Sequence, residues 1–201
     1  VGDRVAAVRQ SVADVGRDPA SLRIFALLTA IVAPTDAAAA ARLAEYRQYA
    51  SLDGALALFS GWSGVDFSKL DLDAVVEHVE TDAGRSALEN ITRADPGRRW
   101  TVREVAEHVA IGGIGPVLVG SPATVADAME DWIDETGLDG FNLAFAARPE
   151  TFVDIVDLLV PDLQRRGRYR RSYRPGTLRE KLGGIGPYLP GDHPAAAFRW
   201  V

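Results

Sequence analysis

The sequence predicts an α/β chain whose three strand–helix units read as the final three-eighths of a (β/α)8 barrel, interrupted by one long insertion. Two observations carry that expectation. Apolar runs with little alternation, as strands buried on both faces require, recur between segments of helical period. Strands that alternate with helices in this way imply parallel pairing and right-handed crossovers. A third observation bounds the answer. A chain of 201 residues buries a real core, yet three strands cannot close a barrel of eight. The remaining neighbours of the sheet are therefore expected outside this chain.

The elements follow in order. Val1, Val5, Val8, Val12 and Val15 are spaced by fours and threes and share one helical face. A chain that opens inside such a pattern, at Val1 and without an initiator Met, is expected to be a portion of a longer polypeptide. Gly16 stops this helix, and "RDPAS" turns the chain through Asp18 and Pro19. "LRIFALLTAIVA" (22–33) reads as a buried strand, although its length also suits a buried helix. Pro34 and Thr35 end it, and "DAAAAARLAEYRQYA" (36–50) is strongly helix-forming. "GALALFSGW" (54–62) reads as the next strand, running into the Gly-rich bend "SGWSGVDFS". Over 65–116 the rhythm is lost. This polar stretch, broken by Gly84 and by Asp95-Pro96-Gly97, reads as an insertion with short helices. Within it, Thr101 and Glu104 form a capping-box pattern that opens a helix at "VREVAEHVA". The rhythm returns with a helix over 121–136, capped by Ser121 with Pro122 at its first position. A strand over 140–145 and a helix over 150–166 complete it. Residues 1–167 are thus assigned to the barrel portion and 168–201 to a C-terminal arm.

Composition excludes several classes. With 47% apolar and 25% charged residues the chain is an ordinary soluble globular sequence. A net charge of −6 argues against nucleic acid, because phosphate binding needs a surplus of cations. The absence of cysteine removes disulfides, thiolate metal sites and cysteine nucleophiles, and suits a reducing cytoplasm. "IFALLTAIVA" is about half of the roughly 20 residues a spanning helix needs, so no membrane is expected. His78, His108 and His193 share no metal-ligand spacing, so no metal site is expected. His108 precedes "IGGIG" and is read as a solvated helix histidine; the alternative, that it reaches the cleft, requires the insertion to fold over it. No Ser-His-Asp order or G-x-S-x-G elbow supports a hydrolase. "IGGIGPVLVG" and "LGGIGPYLPG" do not fit G-x-G-x-x-G, which rules out a dinucleotide fingerprint. "RRGRYRRSYR" (165–174) packs six arginines with two tyrosines. In an acidic chain, at the end of a helix, these cations are expected to meet carboxylates and helix carbonyls within or between subunits.

Three motifs, in order along the chain, carry a family resemblance. "GPVLVGSPATVADAMEDWIDETGLDGFNLAF", "LVPDLQRRGRYRRSYRPGTLREKLGG" (159–184) and "LFSGWSGVDFSKLDLD" (58–73) resemble the bacterial luciferase-like flavin monooxygenases. The likeness is to the branch that contains nitrilotriacetate and dibenzothiophene-sulfone monooxygenases, and only to its C-terminal portion. The resemblance implies an enzyme that oxidises a small organic substrate with reduced FMN and O2. It implies as partners the N-terminal half of the barrel, a separate NAD(P)H-dependent flavin reductase and further copies in a homo-oligomer. The alternatives are a non-catalytic subunit or assembly module, and a barrel that takes a deazaflavin instead.

In such barrels the reaction face lies at the C-terminal strand ends. The positions expected there are Ala33–Thr35, Ser60–Gly64 and Asn142–Ala146. Trp62, with glycine nearby on both sides, is expected either to wall a flavin or substrate pocket or to cap the barrel mouth. Ser60 and Ser63 can donate to a ligand or stabilise the turn. Asn142, polar in an apolar strand, needs a partner in a loop or in the pocket. No catalytic residue is assigned, and the flavin-phosphate site is expected outside this chain.

Overall fold

The computed structural model describes residues 1–80, 82–93, 97–191 and 193–198. Asp95 and Pro96, part of the expected break in the insertion, lie outside the described residues.

The centre is a three-stranded, wholly parallel sheet of β1 (Phe25–Val32), β2 (Val117–Gly120) and β3 (Gly140–Ala144), in the order β2-β1-β3. β1 pairs with β3 from Phe25↔Gly140 to Thr29↔Ala144, and with β2 from Thr29↔Val117 to Val32↔Gly120. β2 therefore flanks only the C-terminal half of β1. Consecutive staves of a barrel are neighbours in chain order; here β1 is central, and the crossover from β2 to β3 passes over it. Right-handed crossovers that leave in opposite directions place their helices on opposite faces.

The packing shows this. On one face Leu28, Ala30 and Val32 bury against Val125, Ala126 and Met129 of α6 (Pro122–Thr136) and against Ile155, Leu159 and Leu163. The last three belong to one continuous helix: α7 (Glu150–Asp154), a π turn (Ile155–Leu159) and α8 (Val160–Arg165). The π turn widens the backbone just before Pro161, which has no N–H and whose ring crowds the carbonyl four residues back. On the opposite face Val117 and Val119 line a cleft with residues of α2 (Asp36–Gln48) and α5 (Val102–Gly112).

The segment 54–62 is not a strand. It lies in α3 (Leu52–Ser63), which Ser51 caps by accepting the Gly54 N–H at 3.0 Å and Gly64 ends at φ 72°. Its buried residues, Ala55, Leu56, Phe59 and Ser63, follow a helical period, while Leu58 points outward at 47% exposure. The physical reason is a partner that lies far along the chain. α3 packs with α4 (Arg85–Thr92) and α5 around Phe59, Phe67, Leu88, Val102 and Val105, so the insertion has a core of its own. The third strand is instead β2, which sequence periodicity does not reveal.

The first helix, α1 (Gly2–Asp14), forms as expected, but its valine stripe is only partly covered: Val5 is buried, whereas Val1, Val8 and Val15 are exposed. Arg9 fastens it by donating to the carbonyls of Pro19 and Gly137 and to Asp139. The arginine run meets carboxylates within the chain. Arg165 and Arg166 pair with the buried Asp162, Arg166 also with Asp127 and Glu130, and Arg168 with Glu130. The arm continues through α9 (Leu178–Gly183), whose capping box joins Thr177 and Glu180, and Arg23 donates to the Leu182 carbonyl.

Candidate functional site

The C-terminal strand ends are knotted by one carboxylate. Asp36, the first residue of α2, accepts the Ser121 N–H at 2.7 Å and the Thr124 hydroxyl at 2.7 Å on the same oxygen. Ser121 is the N-cap of α6, so this carboxylate lies where a helix N-terminus would otherwise receive an external anion. The Ser121 backbone bond, then the Thr124 and Ser121 hydroxyls, hold the Asp36 carboxyl below the ordinary range. Gly120 permits the approach: a Cβ there would stand 2.8 Å from Thr124 Cγ2 and 3.0 Å from the Asp36 oxygen. Beside it, Arg42 donates to the Val32 carbonyl at 3.0 Å and pairs with Asp154. Tyr46 stands nearby, and burial is the main cause of its raised phenol pKa.

A cleft of about 350 Å³ opens between α2, α5 and β2, beside the C-terminal half of β1. Its polar lining is Arg47, Arg98, Trp100, Glu107 and His108. The Arg98 guanidinium lies 3.5 Å from the Trp100 ring centre, and Trp100 meets the His108 ring edge-on at 5.3 Å. Burial, then the Arg98 charge, lowers the His108 pKa, opposed by a hydrogen bond with the Gly115 backbone. A neutral imidazole held through one nitrogen keeps the other for a bound group. Two guanidinium groups over an aliphatic wall suit a small organic molecule with an anionic or polar end.

The expected site residues do not converge in one pocket. Ser60 and Ser63 serve the end of α3: Ser60 Oγ accepts the Phe67 N–H at 3.1 Å, and Ser63 Oγ donates to the Phe59 carbonyl at 2.7 Å. Trp62 projects from a helix rather than from a strand end and packs at the margin of the helical core. Its ring nonetheless reaches the glycine turn after α5. A Cβ on Gly113 would lie 3.7 Å from Trp62 Cη2, and one on Gly112 would lie 3.5 Å from His108 Cε1. Trp62 and His108 therefore flank the same Gly112–Gly113 turn. Two residues on, Gly115 packs against Leu27, which is the register partner of Asn142. Asn142 is exposed on that face of β3. Arg98, Trp100 and Arg47 carry no motif, and only folding of the insertion onto α2 brings them to His108. Among the described residues no group of three or more His, Cys, Asp or Glu could hold a metal, and no helix is long and apolar enough to cross a membrane.

The fold and the site describe an α/β chain with an open parallel sheet and a polar-rimmed cleft beside its central strand. The sequence model of the luciferase-like monooxygenases matches residues 1–140, and the chain belongs to that family. It is 47% identical over 193 residues to the dimethyl-sulfide monooxygenase of Hyphomicrobium sulfonivorans, covering 96% of this chain and 40% of that protein. The nitrilotriacetate monooxygenase component A of Aminobacter aminovorans, in the branch expected from the motifs, is 30% identical over 179 residues, covering 88% and 40%. Among solved structures, DmoA from Hyphomicrobium sulfonivorans matches with a TM-score of 0.82 at 45% identity, covering 97% of this chain and 41% of that one. A riboflavin lyase solved with modified FMN and riboflavin gives a TM-score of 0.84 at 27% identity, covering 100% and 44%. The chain thus spans about two fifths of the relatives it matches.

Proposed function

We propose that this chain is the C-terminal portion of a two-component, FMN-dependent monooxygenase that oxidises a small organic substrate with O2. Reduced FMN would come from a separate NAD(P)H-dependent reductase. One observation carries the reading. In a chain two fifths the length of its monooxygenase relatives, β2 and β3 each pair only with β1 among the described residues, so both outer edges of a parallel sheet stand open. Parallel sheets bury both faces and are completed by further strands. The family resemblance makes a (β/α)8 barrel the proposed whole, although the order β2-β1-β3 departs from the chain-order staves of such a barrel.

The N-terminus of α6 does not fit the flavin phosphate. A phosphate at a strand end is held by free helix N–H groups or by cations, and at α6 that place is taken by the Asp36 carboxylate. The phosphate is proposed to bind in the rest of the protein, as the family resemblance implies; the Asp36 carboxylate at α6 supports this. What this chain contributes is a wall. Trp62 and the Gly112–Gly113 turn shape one side, Asn142 offers an amide on the open face of β3, and Ser60 and Ser63 hold the end of α3 in place. The His108 cleft orients the polar end of the substrate, with neutral His108 as acceptor and Arg47 and Arg98 as donors.

The test uses the complete protein with a flavin reductase, NADH and isotopically labelled O2. Dimethyl sulfide is the first probe, because the 47%-identical relative is named for it. Label incorporated into an organic product supports the reading. Reduced flavin consumed with no labelled product from any of a panel of small sulfides, amines and alkanes would remove it.

A further inference from the structure

We infer that the cleft between α2 and α5 selects substrates that end in a carboxylate, and that Arg47 and Arg98 set this preference. The inference rests on the proposed function and names the substrate class of the same site.

Charge gathers here against the trend of the chain. The whole sequence carries −6, yet the cleft lining holds two guanidinium groups and a single carboxylate, that of Glu107. Among the described residues Glu107 forms no ion pair with either arginine, and the Arg47 side chain forms no hydrogen bond or ion pair at all. Arg98 is only loosely neutralised. It stands 3.9 Å from Glu104, at the outer limit of an ion pair, with both side chains about half exposed. The other Glu104 oxygen is committed to the capping box of α5, where it accepts the Thr101 N–H at 2.8 Å.

The fold builds this pair from distant parts of the chain. Arg47 comes from the last turn of α2 and Arg98 from the segment before α5. The Trp100 ring orders the Arg98 guanidinium before any ligand arrives, so less freedom is lost on binding. The rest of the wall is aliphatic, from Leu43, Ile111, Pro116, Val117 and Val119. Such a lining offers an apolar body a surface to bury against and a terminal anion two charge-assisted partners. A guanidinium is planar and matches the two oxygens of a carboxylate. A neutral dialkyl sulfide would meet the wall alone and leave both cations unmatched. The volume of about 350 Å³ lies at the small end for ligand pockets, so the acid is a compact one.

The experiment titrates the complete protein calorimetrically, without reduced flavin, with methylthioacetate and with its uncharged methyl ester. The anion should bind about tenfold tighter than the ester, or better, which is the worth of one hydrogen bond to a charged group. Arg47→Gln and Arg98→Gln should each cut that ratio severalfold, while Arg47→Lys, which keeps the charge, should retain most of it. Both arginines are exposed, so the melting temperature of each variant should match that of the parent. A ratio near one in the parent, or a ratio that both glutamine variants leave unchanged, overturns the inference. Anion-selective binding by a protein that consumes reduced flavin without oxygenating any probe would overturn the proposed function alone. Oxygenation of anion and ester with equal kcat/KM would overturn this inference alone.

Discussion

Thr29 sits at the middle of β1 with its hydroxyl buried and, among the described residues, without a hydrogen-bond partner. Its register neighbours are Val117 and Ala144, neither of which has a polar side chain. Leaving a buried hydroxyl unmatched costs about 1–3 kcal/mol. Thr29→Val keeps the branched shape, favours the strand, and removes that hydroxyl. The expected gain is about 1–2 kcal/mol, or a rise of about 2–8 °C in Tm for a domain of this size. Thr29→Ser provides the opposite control. It keeps the hydroxyl and deletes one methyl, for a loss of about 0.8 kcal/mol plus whatever cavity remains. Urea unfolding followed by tryptophan fluorescence measures both variants, with an unchanged m-value as the condition for comparing them. A Thr29→Val chain less stable than the parent would refute the reasoning, because it would mean that the hydroxyl has a partner worth more than its burial costs.

Other outcomes follow from the same structure. Phe59→Ala, at a fully buried ring 5.0 Å from that of Phe67, should destabilise the insertion's core by about 3–5 kcal/mol in chemical denaturation. Gly84→Ala would put a Cβ 2.6 Å from the Trp62 carbonyl oxygen and should cost about 1–3 kcal/mol, with a change in Trp62 fluorescence. Because burial lowers the folded pKa of His108 below its unfolded value, the unfolded chain takes up the proton first as pH falls. Stability should be full above about pH 6.5 and decline below it, and His108→Gln should flatten that part of the pH–stability profile. Trp62→Ala in the complete protein should raise KM more than it lowers kcat if the ring lines the substrate wall, and equal loss in both would argue against that role.

The elements legible in the sequence are those written in local chemistry. The Thr101–Glu104 capping box, the Ser121 cap with Pro122, and the glycine after Thr136 each fix a helix end without help from the rest of the fold. α3 was not legible, because "GALALFSGW" offers apolar residues to both periods, and its state is decided by α4 and α5, which follow much later in the chain. β2 is four residues long between a proline and a cap, too short for a period to register. The site divides in the same way. Trp62 was singled out for its glycines and does reach the turn beside His108, but from a helix end. The pairing of His108 with Arg98 and Trp100 was out of reach because it depends on how the insertion folds back. Asn142, polar in an apolar strand, is expected to need a partner, and it stands exposed on the face of β3 that it shares with Leu27.

The central claim is that this chain is one part of a flavin site whose phosphate is held elsewhere. The most direct measurement is calorimetric titration of FMN into the 201-residue chain and, in parallel, into the complete protein. The account predicts stoichiometric binding by the complete protein and no saturable binding by the chain alone. Micromolar one-to-one binding of FMN by the isolated chain would contradict it.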